Sequence, residues 1–547
     1  MDKGRWKTVN TVRSVLFVCR TIQSTARLLF DVMPLLVEDS RIQVLFTVDE
    51  SSAFGDGVPR LLDHEQVKLI PWSVATGGRF DCDVTVSASA NRSLALLPGR
   101  KLVMAHGAGA HKYRVSVDGT EEAVSSLSPK QLMVGDELLP STITLAGPDQ
   151  LQRLADSCPA AVPAAEVVGD VCAERMELSL PHRARYRHHL GVAPEQRLIV
   201  LSSTWGPDSL LSRDPTLSTR LLSRLPANEY QLAFVLNPNG WDKHSRPNVH
   251  GWQETAIRAG MRMIPPHEGW RATVVASDLA IVDHGSVGFY AAHLGRPLLF
   301  GTFSDSEVPV NSPMARLAAA APFIDPDTDL VSQIESACRN HDPGRYRTIT
   351  ESALDPTGSA GERMRAVLYR LLDLDPMSTA YPPRPLPLPD VDHSPATACH
   401  VYPVVSDGVP TMIKFPITTT HAARGRPYRD RILVVDAAEP DEHQRHSASV
   451  ITWTESGLSV REASHWIDEQ LTSYPGTSVF AARLLDERIM VRSRGHGRFL
   501  IGSDSRLDIA VVAAAARQIL LETDSLTSLT LRDGRRIIDL NIKGLVD

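Results

Sequence analysis

Residues 279–300, LAIVDHGSVGFYAAHLGRPLLF, carry the clearest chemistry in the chain. An apolar run ends on Asp283, a turn follows with Gly285, and a helix is predicted to open at Ser286. The free backbone N–H groups and positive dipole end of such a helix suit a phosphate or diphosphate. Gly285 lets the backbone come close to a ligand, and Ser286 can bond a phosphate oxygen. The same three residues also serve as a plain helix N-cap. A second feature is the basic run His182, Arg183, Arg185, Arg187, His188 and His189. It reads either as a solvated helix face or as a contact for an anionic lipid or a phosphate-rich acceptor. Other chemistries find no support. The six cysteines include no C-x-x-C pair, so a structural zinc site has no ligand set. No G-x-x-x-x-G-K-[ST] loop and no G-x-S-x-G elbow occurs, which excludes a P-loop NTPase and argues against a serine hydrolase.

These residues need a scaffold, and the chain is long enough to supply one. Its 547 residues suggest about three domains at roughly 150 residues each. With 43% hydrophobic and 22% charged residues, the balance is that of a globular protein able to bury several cores. A net charge of −7 argues against a dedicated nucleic-acid binder. The proline-rich stretch 375–390, DPMSTAYPPRPLPLPD, marks an extended linker.

Before the linker, apolar runs at 14–20, 42–49, 67–72, 82–88, 101–105 and 141–147 predict strands, with a helix from about Ser24 kinked at Pro34. Further strands are predicted at 197–204, 231–239, 279–283 and 296–301, and the helix 364–374 closes the region. Strand and helix alternate, which implies two doubly wound parallel sheets with a ligand cleft at the carboxyl ends of their strands. After the linker come a strand at 450–454, a helix opened by the capping box Ser459 to Glu462, two hairpins and an apolar helix at 507–522. The predicted fold class is therefore α/β, with two Rossmann-like domains followed by a small α+β domain. The expected boundaries are 1–165, 166–375, a linker at 376–399, and 400–547.

Four stretches fall in a fixed order over residues 11–375: MAHGAGAHK at 104–112, the segment from Gly169-Asp170 to Ser203-Thr204-Trp205, IPPHEGWRATVVASDLAIVD at 264–283, and VDHGS at 282–286. In this order they resemble the GT-B glycosyltransferase superfamily. The likeness is to the CDP-glycerol glycerophosphotransferases that polymerise teichoic acids, and the phosphate loop is also similar to that of UDP-N-acetylglucosamine 2-epimerases. Actinobacterial chains with the same runs are sometimes labelled translation initiation GTPases, a reading the missing P-loop excludes.

The resemblance implies an acceptor side in the first domain and a nucleotide donor side in the second. It makes His106 the base toward an acceptor hydroxyl, with Gly107 and Gly109 supporting its loop and Lys112 one residue later than the family pattern. A histidine at a strand end in a glycine loop can take a proton from an alcohol near neutral pH, and it can equally bond the loop backbone. His267, beside Glu268, takes the place of a histidine that bonds the donor phosphate or leaving group. Thr204 would face the donor phosphates, and Trp205 would line the cleft or pack in the core. Asp283, Gly285 and Ser286 would hold the diphosphate in a turn where the branch reads T-D-Y-S-S. Glu307 is the candidate for a ribose-binding carboxylate.

The expected function is transfer of a glycosyl or polyol-phosphate group from a nucleotide-diphosphate donor to an acceptor hydroxyl. The donor is a substrate, and neither cofactor nor metal is expected. The expected partners are a nucleotide-activated small molecule and an anionic membrane surface or lipid-linked acceptor, with no nucleic acid. The start of the chain lacks a signal-peptide apolar region, so a protein that is cytoplasmic, or peripheral to the inner face of the membrane, is expected. Two other readings stay open: a sugar-nucleotide epimerase or hydrolase on the same scaffold, and a non-catalytic scaffold protein using residues 400–547.

Overall fold

A computed structural model describes residues 11–52, 55–109, 126–377, 384–391, 393–422, 430–523, 525–526 and 529–545. The first sheet contains β1 (Arg13–Cys19), β2 (Ile42–Val48), β3 (Val84–Ser87) and β4 (Arg100–Met104). The short hairpin β5 (Met133–Val134) and β6 (Glu137–Leu138) stands apart, and β7 (Thr142–Leu145) and β8 (Ala165–Val167) complete the sheet. Its order is β2-β1-β3-β4-β7-β8, with every pairing parallel. The second sheet contains β9 (Arg197–Ser203), β10 (Tyr230–Leu236), β11 (Arg262–Ile264), β12 (Leu279–Val282) and β13 (Leu298–Phe300). It is parallel throughout and ordered β11-β10-β9-β12-β13. Central strands such as β1 and β9 are buried almost end to end, the reason they read as unbroken apolar runs.

The expected architecture of two doubly wound units is present, with corrections in detail. Residues 67–72 form no strand: Leu69 makes one isolated bridge to Phe46, and Pro71 leads directly into the helix Trp72–Ala75. The helix Ile22–Arg27 runs into a wider π-turn at Leu28–Val32 and a 3-10 turn at Met33–Leu35, because Pro34 has no N–H to donate. The edge strands β8 and β11 were not expected.

The helix Ala360–Leu371, placed by sequence at the end of the second unit, packs on the first sheet. Met364, Val367 and Leu368 share a core with Phe17, Val84, Val86 and Leu102. Arg13 and Arg100 donate to the carbonyls of Leu372 and Leu371 at 2.6 and 3.0 Å, capping the helix C-terminus from the first unit. The Tyr369 hydroxyl donates to Asp39 at 2.9 Å. The chain thus crosses back from the second unit to the first before the linker.

The linker is held along part of its length. Leu386 is buried, its N–H donates to Ser179 at 2.9 Å, and its carbonyl accepts from the Tyr186 hydroxyl at 2.7 Å. Beyond it lie β14 (Ala398–Ser406), β15 (Val409–Pro416), β16 (Ile432–Asp436), β17 (Val450–Leu458), β18 (Val479–Leu484), β19 (Ile489–Ser493), β20 (Gly497–Gly502), β21 (Leu529–Asp533) and β22 (Arg536–Leu545). The expected α+β unit closes into a barrel, ordered β14-β15-β21-β22-β20-β19-β18-β17-β16. Strand alternation divides it into two cores. Val479 and Ala481 pack with the apolar helix Ile509–Glu522, while Phe480 and Ala482 share a core with Ile467 of the helix Val460–Ser473. The barrel docks on the second unit where Asn228 donates to the Met412 carbonyl at 2.8 Å and to Asp533 at 3.0 Å. Among the described residues no helix is long and apolar enough to cross a membrane.

Candidate functional site

The carboxyl ends of β4, β9 and β12 converge between the two parallel units. Asp283 is 1% exposed, and its two oxygens are fully engaged. Oδ2 accepts from the Thr204 N–H at 2.7 Å, the Thr204 hydroxyl at 2.8 Å and the Leu210 N–H at 3.0 Å, while Oδ1 accepts from the Gly285 N–H at 3.0 Å. A buried carboxylate so occupied ties the end of β9 to the turn after β12. Asp283 and Thr204, expected as phosphate contacts, are bonded to each other, and the Thr204 hydroxyl hydrogen goes to Asp283.

Gly285 is the N-cap of the helix Ser286–His293, and no side chain caps that helix. A Cβ at Gly285 would stand 2.7 Å from Thr204 Cγ2 and 3.2 Å from Asp283 Oδ1, so only glycine fits this close approach. Ser286 is half-buried at the mouth of the helix. The first unit meets it there, since a Cβ at Gly107 would lie 3.4 Å from Ser286 Oγ.

His106 follows β4 directly. Its Nδ1 is 3.2 Å from the carbonyl of Ala88, at the end of β3. A carbonyl only accepts, so Nδ1 carries the hydrogen and Nε2 is left as the basic atom. Solvent reaches the ring, yet it stands deep among protein atoms. That burial lowers its pKa below the ordinary histidine value; the Ala88 bond works the other way, and Arg27 adds to the lowering. Gly109, at φ +111, folds its N–H back to the Gly107 carbonyl at 2.6 Å, a conformation open to glycine. Lys112, like the neighbouring His111, lies outside the described residues.

His267 follows an edge strand of the second sheet. It sits after β11, three strand positions from β12, or about 14 Å at the usual spacing. Its ring centroid is 6.1 Å from that of His64 in the first unit. Burial and His64 lower its pKa, against the pull of Glu268. Glu307 does reach the site: its Oε2 lies 3.1 Å from His284 Nε2. Trp205 is 42% exposed, so it does not pack in the core.

Sequence reasoning missed two things. His284 stood in the quoted motif as a replaced aromatic, with nothing to announce its pairing with Glu307. The second is a buried ionic network joining the units beside the cleft. Arg27 contacts Asp31 at 3.0 Å and Asp170 at 2.7 Å; Asp31 also meets Arg175 at 3.3 Å and Arg271 at 2.6 Å; the Tyr290 hydroxyl donates to Asp170 at 3.0 Å. Asp31 is the hub, and the three arginines hold its carboxyl below the ordinary range against the cost of burial. The basic run is also partly consumed. Arg183 and Arg187 bind Asp278 at 2.6 and 2.7 Å, leaving His182, Arg185, His188 and His189 exposed. Among the described residues no group of three or more His, Cys, Asp or Glu side chains could hold a metal ion.

No family model and no curated protein matches the chain. Among solved structures it is similar to the wall teichoic acid polymerase TagF, at 10% identity over 66% of this chain and 90% of that one, with a TM-score of 0.44. It is similar to S. aureus MnaA in its UDP co-structure, at 13% identity over 66% and 98% of the two chains, with a TM-score of 0.40. A glycosyltransferase from Rickettsia africae ESF-5 matches at 11% identity over 66% and 98%, with a TM-score of 0.38.

Proposed function

We propose that the chain is a transferase that moves a glycosyl or polyol-phosphate group from a nucleotide-diphosphate donor to an acceptor hydroxyl. The observation that carries this reading is the approach of Gly107 to Ser286, which brings His106 from one unit and an uncapped helix N-terminus from the other to the same cleft. The donor diphosphate sits at the N–H groups of the Ser286 helix. His106 Nε2 takes the proton of the acceptor hydroxyl as its oxygen bonds to the transferred group. For a glycosyl group the bond to the diphosphate breaks and the nucleoside diphosphate leaves; for a polyol-phosphate group the P–O bond within the diphosphate breaks and the nucleoside monophosphate leaves; in either case the N–H groups stabilise the charge that develops on the leaving oxygen. His182, Arg185, His188 and His189 form an exposed basic face suited to an anionic acceptor or membrane surface.

Calorimetric titration with CDP, UDP and GDP tests the donor half. Binding of at least one, weakened by bulk at Gly285, is the expected result; binding of none overturns the reading. His106→Ala is expected to keep donor binding and lose transfer. Nucleotide release at full rate without any acceptor would favour the epimerase or hydrolase reading instead.

A further inference from the structure

Two parallel units that share a cleft can work as jaws or as one body, and the seam between them decides which. The helix Val171–Leu178 lies in that seam: Val171 belongs to the core of the first unit, while Cys172, Ala173 and Met176 belong to the core of the second. Around it Arg27, Arg175 and Arg271 face Asp31, Asp170 and Glu268, so cations and carboxylates balance. Asp31, in the π-turn Leu28–Val32, reaches straight across to Arg271 of the second unit at 2.6 Å, and the two side chains are 0% and 3% exposed. Arg271 also meets Glu268 at 3.3 Å. The Tyr290 hydroxyl, one turn into the helix that opens at Ser286, donates to the same Asp170 oxygen that meets Arg27 of the first unit. Rotation at this seam would part Asp31 from Arg271 inside the protein, and a buried charge left without its partner is costly.

A second tie lies across the cleft. The N–H of Asp355 donates to the Ala146 carbonyl at 2.8 Å. A Cβ at Gly147 would stand 2.5 Å from the Ala353 backbone, so glycine alone lets the two chains pack this closely. Ala353 and Leu354 lie in the core of the second unit. Ala146 follows β7, and β7 is three strand positions from β1, about 14 Å at the usual spacing. On the β1 side Gln23 adds a bond to Asn237 of the second unit at 2.9 Å. His106 follows β4, which stands between β1 and β7, and Ala108 beyond it is buried with the core of the second unit. A hinge needs one free side, and this seam is fastened on both.

We infer that the two parallel units form one rigid body, so that the cleft keeps a constant width and ligands enter and leave without closure of one unit on the other. This fixity belongs to the scaffold and does not depend on which reaction the cleft performs.

The experiment is a distance measurement between spin labels on the full chain. Leu96 of the first unit and Trp252 of the second are exposed, and Cys338 is the one native cysteine that is not buried. Leu96→Cys and Trp252→Cys in a Cys338→Ala background carry the labels. One narrow distance is expected, moving by less than about 2 Å when pyrophosphate, CDP, UDP or GDP is added at high concentration. Asp31→Asn leaves the three arginines without the charge they share and is expected to broaden the distribution or add a second distance. Circular dichroism establishes folding, and if Asp31→Asn does not fold, Arg271→Gln, which cuts the direct bridge, decides. A broad or two-peaked distribution in the labelled parent, a larger shift with any probe, or an unchanged narrow distance in the folded variant overturns the inference. If no probe binds, the ligand-free distributions of parent and variant still decide it, and the failure to bind counts against the proposed function alone.

Discussion

Gly285→Ala isolates one steric contact in the candidate site. The backbone of Gly285 has φ −82 and ψ 154, a conformation open to any residue, so alanine adds no backbone strain. What it adds is a methyl group 2.7 Å from Thr204 Cγ2, about 1 Å inside ordinary carbon–carbon contact. Neither side can yield cheaply. Thr204 is 4% exposed and pinned twice to Asp283, and that carboxylate also fixes the Gly285 N–H. Overpacking of this kind costs about 1–3 kcal/mol. Alanine is also a poorer N-cap than glycine, which adds roughly 0.5–1 kcal/mol. Thr204→Ser removes Cγ2 and keeps the hydroxyl for Asp283. The double variant should therefore recover the steric share and retain the capping share, with a coupling energy of about 1–2 kcal/mol. Hydrogen-exchange protection of β9 and β12 amides measures these energies locally, and titration with nucleotide diphosphates measures their effect on the site. A neutral Gly285→Ala, or a double variant no better than the single one, refutes the packing of this turn.

Four further outcomes are expected. His106→Ala should lower turnover about 100- to 10,000-fold, the usual range for a general base, with donor affinity nearly unchanged by calorimetry. Because the base works when neutral and its surroundings lower its pKa, the acid limb of the kcat/KM profile should fall below the ordinary histidine value; a limb above it would point to another group. Asp39 is held at about 2, first by its hydrogen bonds from Arg41 and then by that from Tyr369. Its charged form therefore contributes fully above the ordinary carboxylate value and is lost as pH falls from about 4 toward 2, about 2 kcal/mol in all, which Asp39→Asn should remove from an acid-unfolding curve. Gly534→Ala, at φ +58 and against the Asn228 carbonyl, should loosen the barrel from the second unit by about 1–3 kcal/mol while the barrel itself stays folded, seen as faster hydrogen exchange around residues 226–230.

Local physics is what the sequence by itself determined. Runs such as SVLFVC and RLIVLSS could only be strands covered on both faces, and the strand–turn–helix at 279–293 announced a helix N-terminus through Gly285 and Ser286 alone. The strands and the helix start depend on residues a few positions apart; that no side chain caps the helix was left open by the sequence and shown by the structure. Tertiary structure decided everything that depends on residues far apart. The apolar stripe Met364, Val367 and Leu368 was legible, but the sheet it covers was settled by the shape of the first unit and by Arg13 and Arg100 at the helix end. Gly107, beside His106, came up to Ser286 because two sheets place their carboxyl ends face to face, and His267 followed the edge strand β11 to lie near His64 of the first unit. The barrel closed because β14 pairs with β16 as well as β15, a register that spacing along the chain does not encode. Asp283 shows the division most plainly. Its type and position suggested a ligand contact, and four donors, three of them more than 70 residues away, made it the knot that holds the turn.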